Sequence, residues 1–150
     1  MTTELKGDGR EVALAEAQAV LAMARDDAMR TRLSELIGAL DQGAVDGDVE
    51  ELLEQVLELG LQAGRVRAHY GPGGEQAALS TLRRLPRGRA RTASAREVTD
   101  ALGALGGTTL ERVSITAVAP GSYSLSIHAG GLEASIRLDL GGARLVSIAT

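Results

Sequence analysis

The sequence predicts an α+β protein: an N-terminal helical hairpin or bundle, then one more helix and a four-stranded antiparallel meander sheet. Three observations carry this. Up to about Leu105, apolar residues recur at spacings of three and four, the period of an amphipathic helix. Beyond Thr108 they recur at every second position, the period of a strand with one buried face. Gly-Gly and Pro-Gly pairs then cut this last region into short runs, as hairpin turns do.

Residues 10–41 are dense in alanine, the best helix former. Leu14, Ala17, Leu21, Ala24 and Ala28 form one stripe, which Leu33, Leu36, Ile37 and Leu40 continue in a shifted phase. One bent helix or two helices meeting near Arg30 would account for this, with Gly43 and Gly47 ending the segment. Asp48 reads as an N-cap with Glu51 at the capping-box position. The following helix has Val49, Leu52, Leu53, Val56, Leu57 and Leu61 on its apolar face. It runs as far as Tyr70, about 23 residues or roughly 34 Å, unless Gly60 or Gly64 breaks it. Gly71-Pro72-Gly73-Gly74 is a stop. Residues 75–85 form a short helix that Pro86 ends. The segment PRGRARTA at 86–93 has no apolar periodicity and reads as a loop. Ser94 and Glu97 repeat the capping-box spacing before a helix carrying Val98, Ala101, Leu102 and Leu105, and Gly106-Gly107 closes it.

The first strand runs from Leu110 to Val118, with Val113, Ile115 and Ala117 inward. Ala119-Pro120-Gly121-Ser122 fits a type II turn. The second strand points Tyr123, Leu125 and Ile127 inward, and Gly130-Gly131 turns the chain. The third has Leu132, Ala134, Ile136, Leu138 and Leu140 inward, and Gly141-Gly142 is the next hairpin loop. The fourth, Arg144 to Ala149, offers Val146 and Ile148. One apolar face and one serine-rich, charged face suit a sheet covered on one side. Four strands about 4.8 Å apart are wider than one helix, so a second helix or a partner chain is needed to complete the cover. The expected organisation is a helical region at 1–86, an arginine-rich linker at 87–93, and a helix plus sheet at 94–150.

Composition narrows the functions available. Without cysteine, disulfides, thiolate metal sites and cysteine nucleophiles are excluded. His69 and His128 are the only histidines and stand far apart. With two tyrosines and no Phe or Trp, aromatic platforms for base stacking are missing. No apolar run is long enough to span a bilayer, and the charged stretch at residues 1–10 has no apolar h-region of a secretory signal, so a cytoplasmic protein without membrane partners is expected. No cofactor is implied. Charge is segregated: residues 1–64 carry −9, residues 65–96 carry +7 and residues 97–150 carry −2. Such a division favours pairing within the chain or between two copies.

Arg83, Arg84, Arg87, Arg89, Arg91 and Arg96 fall within 14 residues that contain no acid. Guanidinium groups fork onto phosphate or carboxylate oxygens, so this segment is the candidate partner-binding site. An exposed linker paired with the chain's own acidic half also accounts for it, and more simply. The glycine turn at 71–74 lacks a phosphate-binding pattern, and the acids at Asp41, Asp46, Asp48, Glu50 and Glu51 do not follow the calcium-loop order. His128 beside Ser126 has no nucleophile elbow and no acid clearly placed to orient its ring, although Glu133 or Asp139 across the hairpin could approach it. The reading that remains is a non-enzymatic interaction, adaptor or scaffold protein. It is expected to be a homodimer joined through its helices, presenting the arginine segment or the serine-rich sheet face to an unidentified protein. The alternatives are nucleic-acid binding through residues 83–96, and a small-molecule pocket between sheet and helices.

Overall fold

In the computed structural model, which describes residues 1–150, the elements follow in order. They are β1 (Thr2–Glu4), α1 (Gly7–Met23), α2 (Asp27–Gln42), β2 (Ala44–Asp46), α3 (Gly47–Gln62), α4 (Arg65–Arg84) and α5 (Pro86–Leu102). A 3-10 turn at Gly103–Leu105 precedes β3 (Leu110–Ala119), β4 (Ser122–Ala129), β5 (Leu132–Asp139) and β6 (Gly142–Ala149). The α+β class with a C-terminal meander is therefore observed. The chain divides into two compact units, Met1–Arg89 and Ala90–Thr150.

The first unit is built from α1 to α4. Its core holds Val12, Ala13 and Ala17 from α1, Leu33, Leu36 and Leu40 from α2, Leu52, Leu53, Val56 and Leu57 from α3, and Val66 and Ala78 from α4. The alanine stripe of α1 and the leucine stripe of α3 thus pack within one chain. Each fully buried leucine contributes about 1.5–3 kcal/mol relative to an exposed one. The break between α1 and α2 lies at residues 24–26, not near Arg30. Asp26 caps α2 by accepting from the Met29 amide at 3.0 Å, and Arg30 donates to the carbonyl of Ala24 and to that of Leu21, which also accepts from the Ala24 amide. Gly43 ends α2 in the left-handed conformation at φ 83°.

Three further expectations are corrected in this unit. Asp48 is not an N-cap. Helix α3 starts at Gly47 after Asp46, because Val45 and Asp46 are drawn into a short antiparallel ribbon with β1. Asp48 and Glu50 instead sit in the first turn, where the helix dipole favours acids. The helix predicted to reach Tyr70 stops at Gln62, and Gly64 takes φ 72° before α4 begins. The 71–74 stop is a one-residue break: Gly71 leaves helical geometry and the chain resumes at Pro72.

The segment 86–93 is helical, not a loop, and forms the first half of α5. Pro86 occupies the first helical position, where its missing N–H costs nothing. Buried Glu54 accepts from the Arg87 amide at 2.7 Å, which caps an exposed helix start. Alanine and arginine are good helix formers, so propensity sustains a helix that lacks an apolar stripe. Ser94 and Glu97 accordingly lie inside α5 and cap nothing.

In the second unit the sheet has the order β3-β4-β5-β6, all antiparallel. Gly121 supplies the positive φ of a type II turn, and Gly130 and Gly131 both have positive φ, as a type I′ turn requires. The last hairpin loop is Leu140-Gly141, one residue earlier than expected, since Asp139 pairs with Gly142. Leu140 is therefore 83% exposed rather than inward. In β6 the register shifts between Ser135 and Ile136, whose partners are Ser147 and Leu145. Val146 is the extra residue of a bulge and is exposed.

Candidate interaction surface

Three rows of side chains make the apolar face of the sheet. Val113, Ile127, Ala134 and Ile148 form one, Ile115, Leu125, Ile136 and Leu145 the next, and Ala117, Tyr123, Leu138 and Ala143 the third. None of these twelve is charged. Burial across the rows is uneven. Ala134 and Ile136 at the centre are 0% and 2% exposed, whereas Val113 and Ile115 on β3 are 49% and 62% exposed. Leu145 and Ile148 on β6 are intermediate between these extremes. Helix α5 contributes the buried Val98 to this unit. It also passes the β5–β6 turn, where a Cβ on Gly142 would lie 3.4 Å from Arg91 Cγ. The outer strands remain open on this face, and every residue of β3 is exposed.

The opposite face is polar. A serine row crosses all four strands through Ser114, Ser126, Ser135 and Ser147. On one side of it, the His128 ring nitrogen lies 3.2 Å from Arg112 Nη2 and 3.4 Å from Glu133. On the other side, Arg144 donates to Asp139 at 2.8 Å. Of the two acids that could approach His128, Glu133 is the one that does.

The six candidate arginines do not form one stripe. Arg83 and Arg84 end α4, and the rest lie on α5. On α5, Arg87 and Arg91 are four residues apart and share a face, while Arg89 and Arg96, seven apart, share another. Arg84 donates to the Glu4 carbonyl. Arg87 is held by three carboxylates of α3: Glu51 at 3.2 Å, Glu54 at 3.3 Å and Glu58 at 3.9 Å. Arg84 and Arg87 are therefore engaged by the chain's own acidic half, and Arg87 positions the start of α5.

The other acids buried in the first unit are likewise paired. Glu16 accepts from Arg65 Nε and Nη2 at 2.9 and 2.8 Å, and Glu50 accepts from the Thr3 hydroxyl. An open apolar depression of about 350 Å³ lies where Met23, Met29 and Leu59 meet. Its lining presents one polar side chain, Gln55, short of the several convergent polar groups that fix a ligand's orientation. No helix is long and apolar enough to cross a membrane. Sequence reasoning missed the open β3 edge as a site, although the excess of sheet width over one helix pointed to it. Comparisons with protein-family models, curated proteins and solved structures find no match to this chain.

Proposed function

We propose that the protein is a non-enzymatic protein–protein interaction module that works as a homodimer joined through its sheet. The single observation behind this reading is the uncovered apolar strip on β3, where Val113 and Ile115 stand open on a charge-free face. An exposed, continuous apolar patch rimmed by polar residues marks an interaction site. The helices are less suited to the role first expected of them, because their apolar stripes are spent on the first unit's core.

Sedimentation velocity over a concentration series tests the reading. The wild type is expected to form a dimer that Ile115→Lys weakens at least tenfold in Kd, with an unchanged far-UV circular dichroism spectrum, since Ile115 contributes little to the core. A wild type that stays monomeric up to about 100 μM, where even a small interface is populated, overturns it.

A further inference from the structure

We infer that the partner is a second copy paired edge to edge through β3, antiparallel, with Ser114 opposite Ser114 on the two-fold axis. This rests on the homodimer proposed above and specifies its geometry. Strand β3 is ten residues long and is paired on one side only, with β4. Its register shifts lie near its ends, between Leu110 and Arg112 and between Ala117 and Ala119. The stretch Arg112–Ala117 is regular and carries its unpaired backbone groups along an open edge.

Exposed edges are templates for pairing, and folds blunt them with proline, lysine, inward charges or bulges. The run Val113–Ala119 contains none of the first three, and its bulge falls at the far end. The other edge differs, because β6 has a bulge in its middle, at Val146, which twists a strand away from further pairing. One edge is open and the other is blunted, so assembly through β3 closes at two copies.

The occupant follows from self-complementarity, which a two-fold interface requires. Antiparallel pairing about Ser114 sets Val113 against Ile115 of the second copy, and Ile115 against its Val113. Both pairs fall on the apolar face, where β-branched cross-strand pairs are favourable. On the polar face Arg112 meets Thr116, so no like charges oppose one another. A shift of one residue in either direction breaks the Val–Ile match.

A disulfide tests this geometry, because the chain has no cysteine of its own. Directly opposed residues of an antiparallel pair have Cα atoms about 4.5–5.5 Å apart, within the span a disulfide bridges. Ser114→Cys is expected to give a cross-linked dimer on mild oxidation, while sedimenting like the wild type when reduced. Ser147→Cys, the same row's residue on the blunted edge, is expected to stay uncross-linked. If the wild type dimerises but Ser114→Cys does not cross-link, edge pairing is overturned and the homodimer stands, joined by stacked apolar faces that keep Ser114 outward. Cross-linking by Ser147→Cys in its place also overturns the β3 assignment. A monomeric wild type overturns both.

Discussion

Truncating Arg65 to alanine leaves the Glu16 carboxylate buried without its cation. Glu16 has a side chain only 3% exposed, and Oε2 takes both of the hydrogen bonds that Arg65 donates. Gly60 lies directly against the same carboxylate, because a Cβ there would overlap Oε2. Removing one member of a buried pair costs about 3–5 kcal/mol. The Arg65 side chain is 23% exposed, so water enters the vacated space and the lower end applies, about 3 kcal/mol. For a unit the size of Met1–Arg89 each kcal/mol moves the midpoint by about 4–8 °C, so the melting temperature should fall by roughly 12–24 °C. Thermal melts followed at the helical far-UV signal measure it. Glu16→Met combined with Arg65→Met removes both charges at similar volume and should recover most of the loss. If Arg65→Ala lies within about 0.5 kcal/mol of the wild type, the ordinary range for a surface change, the pair does not do what its burial implies.

Four further substitutions have outcomes set by their surroundings. Gly60→Ala drives a methyl into the Glu16 carboxylate and should cost about 1–3 kcal/mol, measured by urea titration. Gly38→Ala, inside α2 with nothing within 4 Å of the new Cβ, should stabilise by about 0.4–1 kcal/mol in the same assay. Arg87→Ala should cost about 1 kcal/mol, since it is partly exposed but holds buried Glu54. Arg83→Ala should fall within about 0.5 kcal/mol, and equal effects for the two arginines would contradict the structural role assigned to Arg87.

What the sequence made legible was whatever depends on local period. The alternation beginning near Leu110 and the paired glycines placed all four strands within a residue or two, because a two-residue hairpin leaves little freedom of register. The arginine segment was misread because its helix is held by a contact 33 residues away, Glu54 to the Arg87 amide, and not by an apolar stripe. Asp48 matched a capping box in isolation, yet the pairing of Val45 with Thr3 moved the helix start to Gly47. A bulge adds one residue without changing composition, so Val146 read as inward until its neighbours' partners were known. The candidate surface was legible only as a deficit: a sheet wider than the helix above it. Which edge remained open depended on where that bulge fell.

The bulge makes a separate test of why assembly should stop at two copies. Deleting Val146 leaves Leu145 next to Ser147 in sequence, and their partners Ile136 and Ser135 are already adjacent. The ladder then closes without the extra residue, and Leu145 keeps its place on the apolar face beside Ile136. The sheet should therefore still form, with β6 now as regular along its edge as β3. A protein with two flat edges pairs at both and grows as an open chain rather than closing. Sedimentation of the Val146 deletion should show species larger than a dimer, increasing with concentration, and Ile115→Lys in the same background should shorten them to pairs joined through β6. If the deletion variant folds and sediments as the wild type does, the bulge does not limit assembly, and the contrast between the two edges cannot be the reason β3 is singled out.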